Sequence, residues 1–239
     1  MPVKKDAVMQ TPEEHRLEEE LRVCDPDKVG RKYSVTRSRA GRMAKELYEG
    51  FETLKKYRLG ATFFGSARCS QKDAIYKTAE ALAGKLAQSG FAIVTGGGGG
   101  IMEAANRGAF KAGGKSVGLN INLPIEQHLN EFTTENKTFN YFFTRKVMLT
   151  FASEVYLYFP GGFGTLDEFL EILTLVQTRK IKRVPLILYG KDYWQAIANL
   201  FEKQLFEGFQ VIDREDLALF TIVDSVEEAY DEVLKQVKC

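Results

Sequence analysis

Short runs of uninterrupted apolar residues alternate along most of this chain with stretches whose apolar residues return at helical spacing. The runs predict strands at Leu59 to Phe64, Phe91 to Thr95, Lys115 to Leu119, Glu154 to Phe159, Val184 to Tyr189 and Phe220 to Val223. Between them the spacing predicts helices over Lys72 to Gln88, from the glycines after Thr95 through Lys111, over Phe142 to Phe151, through Phe169 to Val176, around Trp194 and at the C-terminal end. A long loop carrying Pro124 and His128 follows the third strand. Strands that are apolar at successive positions are buried on both faces. The expected fold is therefore α/β, a Rossmann-like doubly wound parallel sheet with helices on both faces, in which ligands sit beyond the carboxyl ends of the strands.

Upstream the pattern changes. From Ser34 to Leu59 apolar residues recur near helical spacing at Met43, Leu47, Phe51 and Leu54, which predicts one amphipathic helix packed on the domain or on a partner chain. Residues 1 to 32 are dense in charge, with Glu13, Glu14, Glu18, Glu19 and Glu20 clustered. Residues 1–57 thus read as a charged arm with an amphipathic helix, and 58–239 as one Rossmann-like domain. A length of 239 residues, 44% apolar and 27% charged, fits one main soluble domain. The net charge of +1 gives no broad electrostatic reason to expect nucleic acid or a membrane surface as partner. The first residues lack a signal-peptide core and no apolar run reaches the length of a membrane span, so a cytoplasmic protein is expected. Cys24, Cys69 and Cys239 have no C-x-x-C spacing and read as free thiols, with no metal site.

Two glycine-rich junctions carry the chemistry. Pro160 to Glu168 reads P-G-G-F-G-T-L-D-E between an apolar run and a helix-period stretch, and Gly96 to Gly100 are five consecutive glycines between Thr95 and Ile101. Such strand–glycine–helix turns aim backbone N–H groups at one spot beside the positive end of a helix dipole, which favours a phosphate. The dipole contributes about 0.3–1 kcal/mol, whereas micromolar affinity needs about 8, so several N–H bonds and a cationic side chain must share the task. Arg145 and Lys146 are candidate cations. Glycines that merely make tight turns are the alternative for one loop; two such loops on one sheet edge favour a nucleotide or phosphate pocket.

Standard fingerprints fail. G-x-G-x-x-G is unmet in both loops, and Gly114-Lys115-Ser116 lacks the first glycine of a P-loop and leads into a strand, so neither NAD nor ATP hydrolysis is implied. The two histidines, His15 and His128, fall in the charged arm and in a loop, leaving little material for a Ser-His-Asp site.

The stretch P-G-G-F-G-T-x-x-E at 160–168, Arg145-Lys146 upstream, and G-G-G-G-G-I-M-E-A-A-N-R-G-A from Gly96 resemble the Lonely Guy phosphoribohydrolases over roughly residues 58 to 225. The resemblance implies a Rossmann-like dimer that hydrolyses the N-glycosidic bond of nucleoside 5'-monophosphates, such as AMP or cytokinin riboside monophosphates, to the free base and ribose 5-phosphate without a cofactor. Carried over by motif position, Arg145 and Glu168 are the implied catalytic pair. Gly161, Gly162, Gly164 and Thr165 are the implied phosphate ligands; from their own place beside the two glycine loops, Gly96, Gly97, Gly98, Met102, Glu103 and Lys146 are further candidate substrate contacts. Relatives often carry the label lysine decarboxylase, for which no pyridoxal-phosphate lysine or acidic diamine subsite is identifiable. The first 55 or so residues have no counterpart in the short plant-type members, which leaves the preferred base open.

Plainer readings stand beside these. Thr165-x-x-Glu168 also has the form of a capping box, Arg145 of a surface ion pair, and Met102, Glu103 and Asn106 of helix-start and packing residues. Glu171 is a reserve acid or a solvated surface group. Phe142, Phe143, Val147, Met148 and Phe151 fit a core stripe or a subunit contact. A carrier or sensor that binds a nucleotide or cofactor without chemistry is the rival to the enzyme.

Overall fold

A computed structural model describes residues 37–122 and 129–237. The expected arm at 1–32, the loop residues Pro124 and His128, and His15, Cys24 and Cys239 lie outside the described residues. A first unit ends at Arg42, with the start of one helix as its described part, and a second runs from Met43 to Cys239. The elements are α1 (Arg37–Leu54), β1 (Gly60–Phe64), α2 (Ala74–Gln88), β2 (Ala92–Thr95), α3 (Ile101–Lys111), β3 (Ser116–Ile121), β4 (Glu135–Phe139), α4 (Phe142–Thr150), β5 (Val155–Tyr158), α5 (Phe163–Gln177), β6 (Leu186–Tyr189), α6 (Lys191–Leu200), β7 (Thr221–Val223) and α7 (Val226–Gln236). Helix α6 continues into π-helical turns over Phe201–Gly208.

Among the described residues the strands form one sheet in the order β4-β3-β2-β1-β5-β6-β7, with every neighbouring pair parallel. The alternation of continuous apolar runs with helical periods therefore gives the doubly wound α/β fold that it predicts. Side chains of successive strand residues point to opposite faces, and each face has its own core. Ala61, Phe63, Ile93, Val155, Leu157 and Ile187 pack on one side with α2, α3 and α7. Phe64, Val94, Tyr156, Tyr158, Leu186 and Leu188 pack on the other with α4, α5 and α6.

Helix α1 stops at Leu54, short of the Leu59 end read from its periodicity. Leu54 is buried in the second core beside Phe139 and Met148. The carboxylate of Glu46 accepts bonds from Asn140 N and Nδ2, both at 2.9 Å, and from Thr144 Oγ1 at 2.7 Å. Burial pushes that carboxyl up, but the hydrogen bonds outweigh it and hold Glu46 below its ordinary value. The polar tie fixes the second half of α1 against the start of α4.

Strand β4 is an element that periodicity hides. Its sequence, Glu-Asn-Lys-Thr-Phe, has a single buried residue, Phe139, because an edge strand bonds on one side and faces water on the other. Pairing with β3 from Val117↔Glu135 to Ile121↔Phe139 carries it instead.

The sheet order reverses between β1 and β5. The chain lays β1 to β4 outward in one direction and β5 to β7 in the other, so the turns leaving β1 and β5 diverge to opposite faces and open a crevice at their carboxyl ends.

Candidate functional site

A cleft of about 730 Å³ occupies that crevice. One wall is the turn after β1, Gly65 to Arg68; the facing wall is the turn after β5, Pro160 to Thr165, with Glu168 beyond it on α5. Met102 at the start of α3 closes one side, while Ile121, Phe142, Arg145 and Tyr193 complete the lining. The two turns are joined directly, since Ser66 N donates to Pro160 O at 3.0 Å. Ile101 N in turn donates to Ser66 O at 3.0 Å, which fastens the start of α3 to the same turn. Gly100, at φ +66°, makes that approach possible, because a side chain there would run into the Ser66 carbonyl.

Helix α5 begins at Phe163 with Gly162 as its N-cap and no side-chain cap. The capping-box reading of Thr165 and Glu168 is thereby corrected. Glu168 lies about one and a half turns into the helix, too far to reach back to the cap. The N–H groups of Gly161, Gly162, Phe163 and Gly164 find no acceptor among the described residues, as expected for the first turn of a helix. A Cβ at Gly161 would collide with Thr165 Oγ1, so the turn closes over α5 only with glycine there. Tyr193 Oη donates to Gly161 O at 2.8 Å and holds the turn from the α6 side.

Arg145 and Glu168 meet at the floor. Arg145 Nη1 stands 3.3 Å from Glu168 Oε1, and Arg145 Nε donates to Leu119 O at 3.2 Å. Their side chains are 12% and 5% exposed. Burial pushes the Glu168 carboxyl up to about 7, against the opposing pull of Arg145 and then Lys146. Burial also lowers the Arg145 guanidinium, with Glu168 drawing it back up; an arginine remains charged regardless. Glu168 Oε2 is buried with no hydrogen-bond partner among the described residues. A buried carboxylate oxygen left unpaired is costly, unless a ligand or water completes it.

The other sequence candidates divide. Gly161, Gly162, Gly164, Thr165 and Met102 line the cleft with Arg145 and Glu168. Gly96 underlies it, because a side chain at that position would meet the Arg145 guanidinium and Met102 Sδ. Gly97 and Gly98 lie behind it. Their carbonyls accept from Asn130 Nδ2 at 3.1 and 3.0 Å, and that amide also bonds Asn106 Oδ1 at 2.9 Å. Asn106 is fully buried, accepts from Thr95 Oγ1 at 2.6 Å and donates to Ser116 Oγ at 2.9 Å, so it packs the glycine loop rather than facing the cleft. Glu103 accepts from Tyr76 Oη at 2.8 Å and Gln71 Nε2 at 3.1 Å, outside the cleft. Lys146 is shared between Asp167 at 2.8 Å and Glu171 at 3.2 Å, which places the reserve acid in an ion pair. The turn Gly65 to Arg68 escaped the sequence reading. Its signal was a third strand–glycine junction after Phe64, without the glycine cluster that marks the other two.

Comparison with known proteins bears on this geometry. The family model described as possible lysine decarboxylase matches residues 102–233. The chain belongs to this family. The Lonely Guy resemblance holds as well, at modest identity. The chain is 32% identical over 161 residues to a probable cytokinin riboside 5'-monophosphate phosphoribohydrolase of Oryza sativa subsp. japonica, a match spanning 66% of this chain and 64% of that relative. It is 27% identical over 166 residues to a cytokinin riboside 5'-monophosphate phosphoribohydrolase of Arabidopsis thaliana, across 66% of this chain and 75% of that one. Among solved structures, the molybdenum cofactor carrier protein of Chlamydomonas reinhardtii superposes with a TM-score of 0.57 at 20% identity, covering 75% of this chain and 98% of that one. The molybdenum cofactor binding protein of Rippkaea orientalis gives 0.54 at 22% identity, covering 74% and 94%. These two share the fold of this family member. No described helix is long and apolar enough to cross a membrane.

Proposed function

We propose that the protein hydrolyses the N-glycosidic bond of nucleoside 5'-monophosphates to the free base and ribose 5-phosphate. The observation that carries this reading is Glu168: a buried carboxyl with an unpartnered Oε2 and a proton affinity poised near neutrality, lining the same cleft as four unengaged N–H groups. Perturbed acids in clefts mark reaction sites, and a general base works best with a pKa near the working pH. The relatives named as cytokinin riboside 5'-monophosphate phosphoribohydrolases support the same chemistry.

In this reading the turn from Gly161 to Thr165 receives the 5'-phosphate and the ribose lies over Glu168. The ionised carboxylate stabilises the positive charge that develops on the ribose as the C1'–N bond breaks. It also takes a proton from the attacking water. The hydroxyl goes to C1', the bond electrons leave with the base, and the proton is passed on to the base nitrogen. Arg145 holds Glu168 Oε1 and so orients the acid. Lysine decarboxylation gains no support, since no lysine among the described residues lines the cleft and Lys146 is bound to two carboxylates.

The fold shared with molybdenum cofactor carrier proteins keeps a carrier or sensor as the second reading. Turnover separates the two. Incubation with AMP, CMP, GMP, UMP and isopentenyladenosine monophosphate should release free base and ribose 5-phosphate from at least one. Glu168→Gln should lower that release by about 10²–10⁴-fold while nucleotide binding persists. Binding without release in the wild type points to the carrier.

We further infer a homodimer in the cytoplasm, without nucleic acid as partner. The exposed aromatics Tyr48 and Phe51 on α1, Phe143 on α4 and Phe151 at its C-cap, with Phe51 and Phe151 rings 6.1 Å apart, support a subunit contact beside Arg145.

A further inference from the structure

The geometry points to Arg68 as the cation that neutralises the substrate's 5'-phosphate. This inference rests on the functional reading above and changes which charge does the binding.

A phosphate monoester carries about −1.5 to −2 charges at neutral pH, whereas a helix N-terminus offers only about +0.5. The N–H groups from Gly161 to Gly164 can fix the phosphate oxygens but cannot balance them. The sequence offers Arg145 and Lys146 for that purpose. In the fold both are committed, Arg145 to Glu168 and the Leu119 carbonyl, Lys146 to Asp167 and Glu171. Drawing Arg145 away would strand Glu168 as an unpaired buried acid.

Among the described residues Arg68 is the other cation lining the cleft. It is exposed, and its guanidinium has no hydrogen-bond or ion-pair partner among the described residues. Its backbone is nevertheless held, because Arg68 N donates to Ser66 Oγ at 3.1 Å and Ser66 N donates to Pro160 O at 3.0 Å. The residue therefore stands on a turn fastened to the start of the glycine turn. An arginine so placed forms paired charge-assisted bonds to phosphate oxygens, a geometry that lysine matches only in charge.

The test is calorimetric titration of the full-length protein, its Arg68→Gln variant and its Arg68→Lys variant with ribose 5-phosphate, AMP and adenosine, alongside AMP turnover. Ribose 5-phosphate makes the result independent of which base is preferred. Arg68→Gln should weaken ribose 5-phosphate and AMP at least about tenfold, the scale of one charge-assisted bond, and leave adenosine within twofold. KM for AMP should rise in parallel while kcat stays within about threefold, and Arg68→Lys should fall between. Unchanged ribose 5-phosphate binding in the Gln variant overturns the inference. An equal loss for adenosine overturns it too, by showing that the whole cleft has been disturbed. If the wild-type protein binds none of the three, the functional reading itself fails and this inference falls with it.

Discussion

The Glu168 carboxyl and the Arg145 guanidinium leave water together, and neither is comfortable alone. Removing one partner of such a pair typically costs 3–5 kcal/mol, because the other remains as a buried charge. Their balance makes a pH prediction. With its carboxyl raised to about 7, Glu168 is mostly ionised only above neutrality. If the carboxylate is the working form, kcat/KM for AMP should climb as pH passes through 7 and level off above 8. A profile that falls over that range would assign Glu168 the opposite role, as an acid. Stability should move the other way. The folded-state value exceeds the ordinary 4.5, so the folded protein binds more protons between those limits. Its contribution is full below about pH 4.5 and is lost as pH rises through 7, on the order of 3 kcal/mol once ionised. Urea unfolding at pH 5 and pH 8 should show the wild type losing stability relative to Glu168→Gln.

At the scale of elements, glycine does its work where strand meets helix. The sharpest case is Gly161, whose missing side chain lets the turn close over Thr165. Gly161→Ala should raise KM for AMP at least about tenfold with a far smaller effect on kcat, since it displaces N–H donors rather than the acid. Equal loss in both parameters would argue that the turn also positions Glu168. The glycine clusters at 96–100 and 161–164 were legible because they interrupt apolar periodicity at strand ends. What was not legible has physical causes. Strand β4 is a polar edge carried by its pairing to β3, so it shows no apolar run. Glu103 and Lys146 look available in sequence, yet acquire partners on other elements, Tyr76 on α2 and Asp167 with Glu171 on α5. The capping box failed because α5 starts at Phe163, three residues before such a box would allow. Sequence spacing shows which groups are near one another on a helix; it does not show which distant element satisfies them.

For the molecule as a whole, the exposed aromatics of α1 and α4 supply the assembly prediction. Light scattering on the full-length protein should give a dimer, and Phe51→Ser with Phe151→Ser should shift it toward monomer by removing apolar contact area. A dimer unaltered by both changes would place the interface elsewhere. The order of the sheet has a temporal meaning as well. Strands β1 and β5 are neighbours in space, paired from Ala61↔Val155 to Phe64↔Tyr158, yet almost the whole of the intervening half-sheet separates them along the chain. Closing a loop of that length precedes any reward from the contacts it brings. A nascent chain that has completed only β1 to β4 possesses one wall of the cleft and nothing opposite it. Ligand affinity is therefore acquired late, when the two halves dock, and a nucleotide present during refolding would select molecules in which that docking has succeeded.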